Sequence, residues 1–163
     1  DLEARGAVLL GASHAGAAIE RSMLGAAHSM ANPLTARRGT VHGVAVGLAL
    51  PVVMEFNSAH PETKARYANL ARQTGLVSSD SPEMDSVEAL IARVRHLLVL
   101  ANFPSSLSEL GFEEADLAGL AKDASEQWTA GFNPRSIETH DFLKLYSSLF
   151  KSTPCVSETQ GLS

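Results

Sequence analysis

The sequence predicts an all-α protein, a helical bundle around one hydrophobic core. Two observations support this prediction: the chain divides into long segments separated by proline-containing turns, and no segment shows the period-two alternation of a half-buried strand. The separating prolines are Pro33, Pro82, Pro104 and Pro134. Their spacing is typical of bundle connections and not of βαβ units. We therefore expect helix to exceed half of the residues and no sheet of three or more strands.

Composition and charge fit one domain and argue against a nucleic-acid partner. The 163 residues are 45% hydrophobic and 19% charged, with a formal net charge of −5 at pH 7. A chain of this length supports a single core. One basic pair, Arg37-Arg38, does not match the clustered cations that phosphate binding requires. We assign residues 1–150 to one helical domain and residues 151–163 to a polar tail.

The single cysteine and the apolar runs bear on cellular location. Cys155 cannot form an internal disulfide and provides no cysteine-based zinc site, which favours a reducing compartment. The longest apolar run, residues 44–54, is well short of the roughly 20 residues that cross a bilayer. The first residues show no signal-peptide pattern. We therefore expect a cytoplasmic protein without a membrane partner. Because the sequence starts in mid-helix and without Met, we also expect a fragment or a processed product.

Two long apolar segments open the chain. Residues 2–30 contain no proline and are apolar on every face, the pattern of a buried helix, which we expect to end at Pro33 and the cluster 35–40. Residues 41–57 are rich in valine, as a buried strand is, but their length favours a helix with a kink at Pro51. A small bundle covers only part of the first helix, so we also expect a homo-oligomer to cover the rest.

Four further helices are predicted, each bounded by turn residues. We expect them at residues 62–74, from about 82 to 101, at 113–128 and at 140–150. Gly75 provides a stop for the first of them. Ser81 and Pro82 provide an N-cap and a first-turn proline for the second. Thr139 provides a cap for the last one.

Two of the six histidines lie at a spacing that bears on metal binding. In one straight helix His28 and His42 would lie about 21 Å apart at 1.5 Å per residue, too far to share an ion. The break between Pro33 and Gly39 permits His28 to close one helix and His42 to open the next, with both rings pointing into one cavity. Alternatively, each is an ordinary core or helix-end histidine, and the spacing alone favours this alternative.

Other candidate sites are weaker. The stretch 11–16 holds two glycines and His14 but follows no strand, so it does not match a dinucleotide-binding fingerprint. We interpret its glycines as packing residues and His14 as a packed or partner-facing residue. The sequence therefore predicts no nucleotide-binding residue within this chain.

Three strings carry a resemblance to a known family. They are His28-Ser-Met-Ala-Asn32-Pro-Leu34, Val41-His42-Gly43-Val44 and Leu50-Pro51-Val-Val-Met54-Glu55-Phe56-Asn57. Further matches occur in order at Glu3-Ala-Arg5, at Pro104-Ser-Ser-Leu-Ser-Glu-Leu-Gly111 and at Asn133-Pro134-Arg135. The whole chain resembles the C-terminal helical domain of the iron-containing (group III) alcohol dehydrogenases, which have a dehydroquinate-synthase-like fold.

The resemblance implies half of an enzyme. Family members join an N-terminal nucleotide-binding domain, absent from this chain, to a helical domain that holds iron or zinc between one Asp and three His. His28 and His42 match the last two of these ligands, and the Asp and first His lie upstream. The metal acts as a Lewis acid on a small alcohol or aldehyde while hydride passes to or from NAD or NADP. We expect the isolated chain to be inactive and to bind metal weakly or not at all.

Three positions depart from the family pattern. Asn32 lies where many members have a histidine credited with proton relay, and an amide can only orient a hydrogen bond there. Ile19 replaces a frequent aromatic residue nine positions before His28, and Trp128 lies where other members have a smaller pocket-lining residue. We take Ile19 and Trp128 as candidate substrate-pocket residues.

Two other functions remain open on the sequence. A maleylacetate reductase-like domain is a related enzyme, although Gly43-Val44 and the run to Asn57 look more like the alcohol dehydrogenases. A helical interaction domain without catalysis would use the apolar first helix to bind another protein, and its histidines would be incidental.

Overall fold

A computed structural model describes residues 1–151 of the chain. Helices make up more than half of these residues, which contain no strand, so the predicted all-α fold is confirmed. In chain order the α-helices are α1 Leu2–Ser22, α2 Ala26–Arg38, α3 His42–Ser58, α4 Pro61–Gln73, α5 Glu83–Leu100, α6 Leu117–Ser125 and α7 Thr139–Lys151. Three short 3₁₀ helices lie at Ser108–Leu110, Glu114–Asp116 and Trp128–Phe132. Cys155 and the polar tail from residue 152 onward lie outside the described residues.

The segment predicted as one helix over residues 2–30 forms two helices, so that prediction is wrong. The chain leaves α1 at Met23, whose φ of 61° lies in the left-handed region, and α2 begins directly after Gly25. Pro33 lies inside α2, and the expected break occurs at Gly39, within the cluster 35–40. A proline within a helix removes one backbone hydrogen bond, and the packing of α2 against α3 and α6 offsets that loss.

The expectation of a buried first helix is also wrong for this chain. α1 has no buried residue, and His14 is as exposed as its neighbours. Its large apolar side chains are exposed at Leu2, Val8, Leu9, Leu10 and Ile19. The apolar faces that predicted burial are therefore present, but no described residue covers them.

The core consists of two clusters joined through α3. The larger one packs α2, α3, α6 and α7 together, and its bulkiest fully buried side chains are Tyr146, Phe142, Met30 and Leu34. The smaller one lies between α3, α4 and α5 around Met54. α2 and α3 thus share a rigid core with α6 and α7. No helix among residues 1–151 is long and apolar enough to cross a membrane.

The helix predicted over residues 113–128 is shorter than expected. It starts with a capping box, in which the Asp116 carboxylate accepts from the backbone N–H of Glu113, and passes through a 3₁₀ turn into α6. α6 ends at Ser125, and the side chain of Gln127 donates to the Asp123 carbonyl just beyond that end. Trp128 therefore opens a separate 3₁₀ helix.

Two predicted helix caps also differ in detail. Pro82 is the N-cap of α5 and not its first-turn residue, and the Ser81 backbone carbonyl instead accepts a 2.7 Å hydrogen bond from Arg72. Thr139 is the first residue of α7, and its hydroxyl donates to the Ser125 hydroxyl over 2.9 Å. Ser81 and Thr139 thus lie at helix starts as predicted. Neither acts as the predicted N-cap, because the Ser81 carbonyl bonds Arg72 and the Thr139 hydroxyl bonds Ser125.

Candidate metal centre

His28 and His42 lie side by side although they belong to different helices. His28 is in the first turn of α2, His42 is the first residue of α3, and residues 39–41 connect the helices. The centroids of the two rings are 5.4 Å apart and the ring planes are tilted by 48°. His28 opens α2 and does not close a helix, because an additional break at residues 23–25 precedes it, whereas the break predicted between the two histidines falls at Gly39. At metal–nitrogen bond lengths near 2.0–2.1 Å, rings this close are within reach of one ion.

The surroundings of His28 favour a neutral imidazole. His28 is half-buried and His42 is exposed. Burial lowers the pKa of His28 below its ordinary value, and the neighbouring His42 lowers it further, because charging both rings would place like charges together. A neutral imidazole keeps a lone pair available for a metal ion.

The pair supplies only part of a metal site. No group of three or more His, Cys, Asp or Glu side chains in residues 1–151 is placed to hold an ion. Two neutral imidazoles fit the donor set of iron or zinc, but an open catalytic site normally uses three or more protein ligands. The chain therefore offers two donors and leaves the other positions to be filled from elsewhere.

Long-range polar contacts hold the end of α2 that carries His28. The side-chain Oδ1 of Asn133 accepts a 3.3 Å hydrogen bond from the backbone N–H of Ala26. The hydroxyls of Ser29 and Thr129 are 2.7 Å apart, and both residues are buried. Sequence reasoning missed both contacts as supports for His28, although the resemblance pointed to this loop through Thr129 and the Asn133-Pro134-Arg135 string.

Asn32 borders an open cleft that it shares with His42. The cleft is lined by Asn32, Pro33, Thr35, Ala36, His42, Asp123, Glu126 and Gln127. The Asn32 Nδ2 donates to Gln127 Oε1 over 2.8 Å, and the Gln127 Nε2 donates to the Asp123 carbonyl over 3.3 Å. Because a carbonyl only accepts, this chain of bonds fixes the orientation of both amides. Asn32 can then offer the cleft its side-chain oxygen and the second N–H of its Nδ2.

The two predicted substrate-pocket residues do not line this cleft. Ile19 lies on the exposed α1. Trp128 is 61% exposed and meets Phe132 edge to face, with ring centroids 5.8 Å apart. It borders a second cleft with Asn133 and Ile137, and Gln127 lines both clefts. The structure thus brings His28 beside His42 and places Asn32 on a cleft that His42 also lines, whereas Ile19 and Trp128 lie elsewhere.

The fold and the paired histidines define the class of protein: an all-α helical domain with two adjacent histidines at the junction of two helices. The chain belongs to the Fe-containing alcohol dehydrogenase family, because the family model of its C-terminal domain matches residues 1–150.

Individual relatives agree with this assignment. Lactaldehyde reductase of Escherichia coli (strain K12) is 33% identical over 150 residues, which cover 90% of this chain and 38% of that protein. NADPH-dependent butanol dehydrogenase of Clostridium saccharobutylicum is 31% identical over 157 residues, 94% of this chain and 39% of that protein. The chain spans less than half the length of these relatives.

Solved structures show the same similarity. The alcohol dehydrogenase from Oenococcus oeni superposes with a TM-score of 0.75 and 30% identity, over 83% of this chain and 35% of that one. The iron-containing alcohol dehydrogenase from Thermococcus thioreducens has a TM-score of 0.75 and 28% identity, over 94% of this chain and 39% of that one. The chain thus corresponds to one part of a larger dehydrogenase fold.

Proposed function

We propose that this chain is the metal- and substrate-binding half of an NAD(P)-dependent iron-type alcohol dehydrogenase that interconverts primary alcohols and aldehydes. The observation that carries the proposal is the 5.4 Å separation of the His28 and His42 rings in a domain of this family. The names of two relatives, a lactaldehyde reductase and a butanol dehydrogenase, favour a small alcohol or aldehyde as substrate.

His28, His42 and Asn32 each have a chemical role in this proposal. A bound divalent ion, iron or zinc, would supply Lewis acidity at the substrate oxygen. His28 and His42 provide two nitrogen donors, and burial favours the uncharged form of the His28 ring by lowering its pKa. Asn32 orients a substrate hydroxyl by accepting a hydrogen bond from it, and holds no titratable proton of its own.

The proposal includes partners and a location. The remaining metal ligands and the site for NAD or NADP would belong to a nucleotide-binding domain, since this chain spans less than half of its relatives' length. The exposed apolar faces of α1 favour burial against that domain or in a homo-oligomer. We place the assembled protein in the cytoplasm, as the single cysteine suggests.

The test is to compare metal binding by this chain with binding by a longer polypeptide that adds an upstream nucleotide-binding domain and an Asp-x-x-x-His helix. Titration with iron or zinc is expected to show a steep rise in affinity in the longer polypeptide, together with reduction of small aldehydes by NADH or NADPH. His28→Ala and His42→Ala should each remove both properties. Equal affinity of the two polypeptides, or an ion retained by both variants, would refute the proposal.

A helical interaction domain is the second candidate, and the exposed α1 is the observation that favours it. Metal content separates it from the enzyme. A full-length protein that contains no divalent ion, and that loses a protein partner when α1 is made polar, would support this candidate. The maleylacetate reductase alternative gains no support from the names of the relatives given above.

A further inference from the structure

Asn133 lies where the start of α2 meets the end of α3. Its Oδ1 accepts hydrogen bonds from the Ala26 backbone N–H at 3.3 Å and from Asn57 Nδ2 at 3.1 Å. Its Nδ2 donates to Asn57 Oδ1 and to the Arg135 carbonyl, both at 2.7 Å. Every polar atom of this side chain is therefore used, and three separate segments of the chain are joined through it.

Asn133 supplies the cap that α2 lacks locally. The first N–H groups of a helix have no partner within it and are usually capped by the side chain of the preceding residue. That residue is Gly25, which has no side chain, and Asn133 caps Ala26 from 107 positions further along the chain. A Cβ added to Gly25 would lie 3.1 Å from Asn133 Oδ1, so a side chain at this position would crowd the capping oxygen.

Asn133 is itself held in place by contacts with the end of α3. Its partner Asn57 is buried in the last turn of α3. Arg135 donates to the Phe56 carbonyl over 2.7 Å, and its guanidinium lies 3.8 Å from the centroid of the Phe56 ring. The cap of α2 is thereby fixed to α3, the helix that carries His42.

α2 is consequently fixed at both ends. Its C-terminal end is tied to His42 through the connection 39–41, in which Gly39 adopts a left-handed conformation. Its N-terminal end, which carries His28 in the first turn, is tied by Asn133. Core packing of Ala26 and the contact between Ser29 and Thr129 also hold this end. Asn133 adds the bond to the first backbone N–H of the helix, so the orientation of the turn that carries His28 depends in part on this tie.

We infer that Asn133 is a positioning residue that sets the separation of the His28 and His42 rings by capping α2 from a loop that Arg135 fixes to Phe56 of α3. It acts through the helix and not by contact with the proposed ion. The importance of this role for catalysis rests on the proposed function. The ring separation itself belongs to the chain alone and can be measured without metal.

The experiment compares two matched variants of the 163-residue chain. Asn133→Ala removes the cap and the tie, whereas Asn57→Ala removes the same two amide–amide bonds but leaves Asn133 Oδ1 free to cap Ala26. Three quantities are measured: hydrogen exchange of the Ala26 N–H, the nuclear Overhauser contact between the two imidazole rings, and Cu²⁺ affinity. Cu²⁺ alone is the probe because it binds imidazole most tightly among the common divalent ions.

Asn133→Ala should speed exchange at Ala26, weaken the contact between the rings and lower Cu²⁺ affinity by roughly 10-fold or more, the range seen when outer partners of metal ligands are removed. Asn57→Ala should lower stability, yet keep the protection of Ala26 and the ring contact. Asn133→Asp should restore the protection of Ala26, because a carboxylate accepts well at a helix N-terminus, although it loses the two bonds that the Asn133 Nδ2 donates. Gly25→Ala crowds Asn133 without removing a polar group and should act in the direction of Asn133→Ala, so it replaces that variant if the latter does not fold.

The inference is overturned if Asn133→Ala keeps the ring contact and the Cu²⁺ affinity of the unmodified chain. It is equally overturned if Asn57→Ala loses the ring contact to the same extent. The loss of contact would then result from lower overall stability and not from removal of the cap. A different result bears on the proposed function. If a His28→Ala, His42→Ala double variant kept its Cu²⁺ affinity, the two histidines would not be the metal ligands. Ala26 exchange and the ring contact in the single variants would still decide the role of Asn133.

Discussion

The Tyr146 hydroxyl donates a 2.7 Å hydrogen bond to the backbone carbonyl of Met30. Both residues are fully buried, and the bond joins α7 to α2 only two residues beyond His28. The last described helix therefore braces the helix that carries half of the candidate metal site.

Tyr146→Phe should change the response of the chain to alkali. Burial raises the pKa of Tyr146 above its ordinary value near 10, so the stability that its neutral form contributes is present below about pH 10 and is lost as the pH rises beyond it. The variant should be less stable near pH 7 by about 1 kcal/mol, for one lost hydrogen bond. It should also lose less stability than the unmodified chain above pH 10. Urea unfolding across this pH range measures both effects, and parallel alkaline profiles would contradict the expectation.

Gly47→Ala should destabilise the bundle, whereas Gly43→Ala in the same helix should not. A Cβ at Gly47 would lie 2.6 Å from the Phe103 ring, but one at Gly43 meets nothing within 4 Å. Overpacking of this kind costs about 1–3 kcal/mol. The control should gain up to about 1 kcal/mol from the higher helix propensity of alanine. Thermal unfolding of the two variants checks this, and equal melting temperatures would show that the space beside Gly47 is not restrictive.

Metal binding by the histidine pair should fade on acidification. Both imidazoles must be neutral to bind, and a free histidine titrates near pH 6.5, so Zn²⁺ binding to the chain should decline below about pH 6. The lowered pKa of His28 leaves that ring neutral to a lower pH than a free histidine. Calorimetric titrations with Zn²⁺ from pH 8 to pH 5 measure the effect, with His42→Ala as the control. Binding that does not change over this range would point to ligands other than imidazole.

The exposed apolar surface of α1 should make the isolated chain self-associate. Val8 and Leu9 are exposed and line a shallow apolar depression on this helix. Leu9→Glu should shift the sedimentation profile towards monomer and reduce the binding of an apolar dye. Leu97→Glu changes an exposed leucine on α5 and serves as the control, with little expected effect. A chain that is monomeric at high concentration before any substitution would contradict this prediction.

The fold could be predicted from patterns that are local in the sequence, and the errors occur where packing overrides those patterns. Helix type and approximate number followed from segment length and apolar content. Pro33 looked like a helix breaker, but its place in a core-packed helix was not visible from its neighbours. The break between α1 and α2 was not predicted. It combines Gly25 with Met23 in a left-handed conformation, and methionine gives no local signal for that conformation.

The candidate site could be predicted only in part. His28 and His42 were identified because they belong to strings that resemble a family. Asn133 and Gln127 were not identified as supports, because their roles depend on partners 107 and 95 residues away in the chain. Spacing in a sequence contains no information on contacts of that range. The proposed metal ligands were thus accessible to sequence reasoning, whereas the groups that orient them required the structure.

The exposure of α1 has a thermodynamic consequence for any measurement on this chain. Because α1 buries no residue, packing against the rest of the molecule adds little to its stability. Isolated helices in water are marginally stable and melt gradually. Heating should therefore produce two superimposed signals: a broad loss of ellipticity from residues 2–22 and a sharp transition from the bundle that begins at α2. The van't Hoff enthalpy from circular dichroism would then fall below the calorimetric enthalpy, although the bundle itself unfolds in one step.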